Sequence, residues 1–331
     1  MQSIRTPSKQ DDFGNDIFAR VSWNNSETQS PKPIGIIVLR PYASCFANII
    51  EALIYHGGGL MIGSSEIIPQ AQINWLADHG FLVVIPNYRL SPQVTGSTSL
   101  SDGVEACDWA VSGLADAMKG HGVELDRSNI VAMGHSSGGT IALHVGSCRP
   151  IKAVTAFYPS LYLSDESSDA HKPYNGPPFG NVPDYNPTKE DWQSIAPADK
   201  QISEANIAAP GMPPSPRSKW QVEMCTKGKW LSTLCPTGDY KTIDPMTRLR
   251  ADWPPVIFVS GEKDTIPGST LDLVKRAVED ARSAGVKEVS LEVVPDVGHM
   301  FDLLKPLGTE DLGSEWQSVV KGLQFLKDHL N

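Results

Sequence analysis

The sequence predicts an α/β fold: a doubly wound, mostly parallel sheet of eight strands, interrupted by an insertion between the sixth and seventh. Three observations point there. Short apolar runs alternate with stretches of helical period along most of the 331 residues, as a series of right-handed βαβ units requires. Residues 130–140, Ile-Val-Ala-Met-Gly-His-Ser-Ser-Gly-Gly-Thr, read as a buried strand turning sharply into a helix. Residues 160–250 break the alternation, holding 12 of the 26 prolines together with Trp192, Trp220 and Trp230. We therefore read one domain, with a core at about 16–160 and 251–331 and a lid or cap at about 161–250.

The elements follow in order. Residues 1–16 are polar and read as frayed, without the apolar centre of a signal peptide. Asp16–Trp23 alternates like an edge strand, and residues 34–39 form a second, apolar strand. Ile49–Tyr55 is a third and runs straight into His56-Gly57-Gly58-Gly59. Apolar residues at helical spacing cover 67–79, and Gly80 suits the helix end. Residues 81–85 form a continuous apolar strand, and 101–118 a helix with Asp102 near its start. After the strand at 130–133 come a helix over 140–146 and a strand over 151–158. Beyond the insertion, a strand at 256–259, a helix over 271–284, the strand Val289–Val294 and an amphipathic helix over 314–330 complete the chain.

The composition excludes several classes of function. A net charge of −10 disfavours nucleic acid and anionic membranes as partners. No apolar run approaches the roughly 20 residues of a membrane span. The 5 cysteines are odd in number and mostly flanked by apolar residues; the expectation is free thiols in a cytoplasmic, reducing compartment, with a Cys225–Cys235 pair left open. Their spacing with histidine matches no zinc site, so no metal and no cofactor is expected.

Chemistry in a doubly wound sheet collects at the carboxyl ends of the strands. Gly134, Ser136 and Gly138 place a serine at the apex of a strained turn, at a helix N-terminus whose free N–H groups can hold an anion. A serine hydroxyl needs a base, the resulting imidazolium needs a carboxylate, and a tetrahedral oxyanion needs backbone donors. His299 follows the last strand in a glycine-flanked loop, unlike His56, His79, His121, His135, His144, His171 and His329. Asp264 lies just past the strand at 256–259; Asp239, Asp244 and Asp296 are its rivals. The order Ser136, Asp264, His299 suits this fold. The glycines at 57–59 leave their N–H groups unobstructed for an oxyanion. His56 and Gly57 are expected to shape that loop, and His135 to pack beside the elbow.

Three segments carry a resemblance: Tyr55-His56-Gly57-Gly58-Gly59-Leu60, Val84-Ile85-Pro86-Asn87-Tyr88-Arg89-Leu90-Ser91-Pro92 and Gly134-His135-Ser136-Ser137-Gly138-Gly139. In their order and spacing they resemble the α/β-hydrolases of the hormone-sensitive lipase-like, fold-3 esterase group. The likeness covers residues 34–160 well, 254–305 moderately, and the insertion hardly at all. It implies a carboxylesterase without a cofactor: Ser136 as nucleophile, Asp264 as acid, His299 as base, and Gly58, Gly59 and Ser137 as oxyanion donors. His135 and Ser137 depart from the group's usual Asp and Ala, and the short N-terminus moves the lid to the insertion.

The expected activity is thus hydrolysis of a small or medium, partly apolar ester through an acyl-enzyme. Glycine-triplet amidases and hydrolases of fungal natural-product pathways share the arrangement. They keep open a thioesterase, acyltransferase or carbon–carbon hydrolase in secondary metabolism, acting on a carrier-bound or polyketide-like acyl group, with an acyl carrier domain as partner. A hormone-receptor-like binding protein on the same fold is a third reading, disfavoured because all three triad positions are filled. A homodimer is compatible with the sequence.

Overall fold

The computed structural model describes residues 1–24, 49–123, 125–177, 179–180, 183–205, 213–303 and 313–330. Its strands are β1 (Gln2–Gln10), β2 (Asp16–Trp23), β3 (Ile49–Tyr55), β4 (Phe81–Pro86), β5 (Leu125–His135), β6 (Val154–Phe157), β7 (Val256–Gly261) and β8 (Val289–Val294). They form one 8-stranded sheet in the order β1-β2-β4-β3-β5-β6-β7-β8. β1, β2 and β4 pair antiparallel, and every pairing from β4 through β8 is parallel. Parallel pairing brings the carboxyl ends of β3 to β8 to one edge, where the turns into helices are made.

The sequence places strands on β2 through β8, but two expectations about the N-terminal region fare differently. Residues 1–16 are not frayed: β1 pairs with β2 from Gln2↔Trp23 to Gln10↔Asp16. Its side chains alternate between exposed and half-buried, so an edge strand held by its backbone bonds leaves no apolar run in the sequence. The strand expected at 34–39 lies outside the described residues.

Helices cover both faces. On one pack α2 (Gly96–Ser112), α4 (Ser137–Cys148) and α8 (Leu271–Ser283), whose Ala110, Ile141, Val145, Val274 and Ala281 meet Leu53, Val84, Ala132 and Phe258 of the sheet. On the other lie α1 (Gln70–Asp78) and α9 (Gly313–Asp328), whose Ile73, Leu76, Val319 and Leu323 meet Ile54, Val83, Val131 and Val259. Both faces of the central strands are thus buried, which is why they read as mostly apolar runs rather than alternating ones. Thr95 caps α2 by accepting the Thr98 N–H, so the helix begins before the residue 101 expected from the pattern. It ends at Gly113, and α3 (Leu114–Ala117) follows as a separate turn.

Between β6 and β7 the chain forms α5 (Lys189–Ile195), α6 (Pro216–Thr226) and α7 (Trp230–Leu234). Trp220, Leu231, Leu234 and Ile243 join the same apolar cluster as the α2–α4 face. Trp220 is buried edge-on to Trp192, which is exposed, whereas Trp230 lines a cavity at the carboxyl end of the sheet. Among the described residues no helix is long and apolar enough to cross a membrane.

Candidate active site

β5 ends at His135 and α4 begins at Ser137, so a single residue, Ser136, makes the turn. Its φ of 55° and ψ of −124° lie where an L-residue is strained. The strain survives because strand and helix are pressed together: a Cβ on Gly138 would sit 2.1 Å from the Tyr55 carbonyl oxygen. The Ser136 N–H donates to the Phe157 carbonyl (2.9 Å), which ties the turn to the end of β6.

The loop after β8 carries His299 to this turn. Ser136 Oγ lies 2.8 Å from His299 Nε2, and His299 Nδ1 lies 2.7 Å from Asp264 Oδ2. The carboxylate can only accept, so Nδ1 holds the proton and Nε2 is the free acceptor facing the serine hydroxyl. Asp264, buried past the end of β7, has its second oxygen occupied by the Ile266 N–H (3.0 Å). The rival carboxylates serve elsewhere. Asp244 caps a turn through Ser164 and Met246, and Asp296 pairs with Lys263 at the surface (2.7 Å); Asp239 precedes a short helix at 240–242. The rival histidines are also engaged apart from the serine: His79 with the Trp75 carbonyl, His171 with the Leu163 carbonyl, His329 with Glu288 and His121 against Trp23.

The glycine loop wraps the other side of the serine. Gly57, Gly58 and Gly59 line one cavity with Ser136 and His299. The Met61 and Ile62 N–H groups both donate to the Gly58 carbonyl at 3.1 Å, closing a turn at Gly58. Gly58 has φ +120°, and a Cβ there would fall 2.1 Å from the Ile62 carbonyl oxygen; no other residue fits. The Ser137 N–H is the first of α4 and has no acceptor within its own helix, while its hydroxyl accepts the Leu60 N–H at 3.3 Å. Elbow and glycine loop are therefore joined directly.

His56 supports this loop from beneath. Its ring stacks on Tyr88 at 4.2 Å, its Nδ1 donates to the Gly57 carbonyl at 2.9 Å, and the Tyr88 hydroxyl donates to the His56 carbonyl at 2.8 Å. Complete burial lowers the His56 pKa to about 4, so the ring is neutral at physiological pH. His135 is also buried, stacked on Phe157 at 4.8 Å and bonded through Nε2 to Gln72 at 3.0 Å, pointing away from the cavity.

Several residues at the site carry no motif, and of these only Trp230 stands out in the sequence, as one of the insertion's tryptophans. Trp230 donates its indole N–H to the Gly59 carbonyl at 2.9 Å. Arg217, on α6, is buried and donates to the carbonyls of Met61 (2.6 Å), Leu90 (3.2 Å), Ser91 and Ile195. Loss of hydration draws its pKa down to about 10, which still leaves it charged at neutral pH. Tyr158 and Asp302 form a buried pair beside His299. Local patterning could not have found these; only the fold brings them together.

The cavity measures about 280 Å³ and its wall is mostly apolar, with Ile62, Ile67, Phe179, Val222, Pro267 and Met300 contributing. Ser160, Tyr174, Ser218 and Gln221 are among its few polar groups. Cys225 also lines it, but burial pushes its thiol up to about 12, so it stays protonated. Cys225 and Cys235 are both free thiols. Among the described residues no group of three or more His, Cys, Asp or Glu is arranged to hold a metal ion.

A family model described as the alpha/beta hydrolase fold matches residues 52–214. The chain is 27% identical over 317 residues to the non-reducing polyketide synthase adrD of Penicillium rubens, covering 84% of this chain and 12% of that protein. To the methylphloroacetophenone synthase of Cladonia uncialis it is 26% identical over 328 residues, covering 83% and 12%. The chain thus spans about an eighth of the length of these relatives. Among solved structures, an esterase of Thermogutta terrifontis superposes with a TM-score of 0.60 at 18% identity, over 98% of this chain and 92% of the other.

Proposed function

We propose, for a chain that belongs to the α/β-hydrolase family, that it is a serine hydrolase working through an acyl-enzyme on Ser136. The observation that carries this reading is the Ser136–His299–Asp264 relay, at 2.8 Å and 2.7 Å, opening into an apolar cavity. His299 Nε2 takes the hydroxyl proton as Oγ bonds to the acyl carbon. The carbonyl oxygen becomes an oxyanion, received by the N–H groups of Gly58, Gly59 and Ser137, each worth about 3 kcal/mol in the transition state. The bond to the leaving group breaks as His299 returns its proton to that group. Water then repeats the sequence, its proton passing through His299, and releases the acid. The cavity wall suits a small or medium, partly apolar acyl group, and residues 161–250 act as the lid over it.

Substrate origin admits a second reading, favoured by the match to one eighth of several polyketide synthases. There the leaving group is the thiol of a carrier-bound thioester and the acyl group is polyketide-like. The relay is the same; only the leaving atom changes. One experiment addresses both: a panel of p-nitrophenyl esters and N-acetylcysteamine thioesters against the wild type and Ser136→Ala. Loss of all turnover in Ser136→Ala together with fluorophosphonate labelling of wild-type Ser136 is the expected result. A preference of kcat/KM for aromatic thioesters over matched oxygen esters selects the second reading. Turnover that survives in Ser136→Ala overturns the nucleophile, and a wild type that neither turns over nor labels is a receptor.

A further inference from the structure

Resting on that acyl-enzyme reading, we propose that Tyr158, Asp302 and His135 form a positioning unit that holds the His299 imidazole in line with Ser136. Asp264 fixes one ring nitrogen, which leaves the ring free to swing about that bond. The Tyr158 ring removes this freedom: it lies against the His299 ring at a centroid distance of 4.7 Å and an angle of 60°. Tyr158 is itself tethered, because its hydroxyl donates to Asp302 Oδ1. Asp302 Oδ2 accepts from Gln72 Nε2 at 2.6 Å and faces His135 Nε2 at 3.1 Å. His135 immediately precedes Ser136, and Asp302 follows His299 by three positions. One buried network therefore joins the loop carrying the base to the strand carrying the nucleophile.

The arrangement is costly in ways that packing alone does not explain. Gln72, His135, Tyr158 and Asp302 are all at most 2% exposed. A buried carboxylate is tolerated only when its lone pairs are filled. Burial alone would push the Asp302 carboxyl up, yet His135 and the bonds from Tyr158 and Gln72 hold it below the ordinary range. Backbone strain converges on the same point. Tyr158 has φ +36° and Met300, next to His299, has φ +60°, conformations that persist only where the surroundings impose them. An all-apolar cluster of similar volume would fill this space without buried charge or strain. It would not join the base loop to the elbow.

The test is Tyr158→Phe, which keeps the ring and deletes the tether. We measure kcat and KM for p-nitrophenyl butyrate, normalised to Ser136 sites titrated with a fluorophosphonate, so that misfolded protein does not count. The expected result is a kcat lower by about 10- to 100-fold, as for misplaced catalytic groups, with KM within about twofold of wild type. Asp302→Asn should lower kcat similarly, and the double variant should be no worse than the poorer single one, because the groups act as a unit. Wild-type kcat per titrated site in Tyr158→Phe overturns the proposal, even if the melting temperature falls; so does a raised KM at constant kcat. Should Asp302→Asn fail to fold, Tyr158→Phe decides alone. A wild type that does not label at Ser136 overturns the acyl-enzyme reading and this inference with it, whereas a labelled wild type with an indifferent Tyr158→Phe overturns this inference only.

Discussion

Asp264→Asn is the substitution whose outcome the geometry specifies most closely. Asp264 Oδ1 accepts the Ile266 N–H at 3.0 Å and Oδ2 accepts His299 Nδ1–H at 2.7 Å. An asparagine of the same shape has one acceptor and one donor end. The backbone N–H of Ile266 can only donate, so it holds the amide oxygen at the Oδ1 position. The NH2 group then occupies the Oδ2 position and points at His299 Nδ1. That nitrogen must now be the bare one, and the ring proton moves to Nε2, opposite the Ser136 hydroxyl. The base faces its substrate proton with a proton of its own. The fold keeps its contacts, and the damage is kinetic: about 10⁴-fold in kcat, equivalent to roughly 5 kcal/mol of transition-state stabilisation. Steady-state kinetics on p-nitrophenyl acetate, with circular dichroism to verify folding, measures it. Asp296→Asn is the control, since Asp296 bonds Lys263 at the surface. A folded Asp264→Asn within tenfold of wild-type kcat refutes the tautomer argument, and a large loss in Asp296→Asn instead reassigns the acid.

Three further outcomes follow from the same structure. Trp230→Phe keeps an aromatic ring, though a smaller one, and deletes the N–H that bonds the Gly59 carbonyl; kcat/KM should drop by about five- to tenfold, the worth of one hydrogen bond, and an unchanged value would show that the bond does not hold the glycine loop. Gly58→Ala puts a Cβ 2.1 Å from the Ile62 carbonyl oxygen at φ +120°. It should cost about 10²- to 10³-fold in kcat by displacing an oxyanion donor; kinetics near wild type would remove Gly58 from that role. Acid should also unfold the protein early. His56 and His144 are buried with pKa values near 4, below the roughly 6.5 of an unfolded chain. The unfolded state therefore takes up protons first, and stability present above pH 6.5 is lost progressively toward pH 4, by about 2 kcal/mol per histidine at pH 5. Urea midpoints measured from pH 7 to pH 5 should fall steeply; a flat profile would mean that these rings are hydrated and titrate normally.

Most of the sheet was legible because strands buried on both faces are apolar over most of their length, as β4 and the stretches 52–55, 130–133 and 256–259 of β3, β5 and β7 are. The parts of the candidate site set by local chemistry were legible for a similar reason. The turn at Ser136 needs glycines on both sides, and the loop at Gly58 needs a residue without Cβ; these demands write themselves into consecutive positions. β1 was not legible, because its stability lies in backbone pairing to β2 and its side chains alternate only between exposed and half-buried. Nor were Arg217, Tyr158 and Asp302, nor the bond from Trp230 to the glycine loop, which depend on partners up to 171 positions away. The structure also divides what the sequence grouped together: of the tryptophans between β6 and β7, Trp230 reaches the cavity and Trp220 is buried in the core.

That division bears on how specificity and chemistry are coupled. A relay of serine, histidine and aspartate acts on any acyl group presented to it, so selection falls to the wall that residues such as Tyr174, Phe179, Gln221 and Val222 supply from the segment after β6. This segment is not a free flap. Trp230 bonds the Gly59 carbonyl, and the Arg217 guanidinium bonds the carbonyls of Met61, Leu90, Ser91 and Ile195, with no carboxylate partner among the described residues. Parting a buried cation from its acceptors leaves its N–H groups unbonded, a loss of roughly 1.5 to 3 kcal/mol per bond. Lifting α6 to admit a bulkier substrate would thus pull on the glycine loop at 57–59, the proposed source of oxyanion donors. A substrate that fits beneath the segment leaves that loop in place. One that does not must distort the donors it needs, and discrimination should then register in kcat as much as in KM.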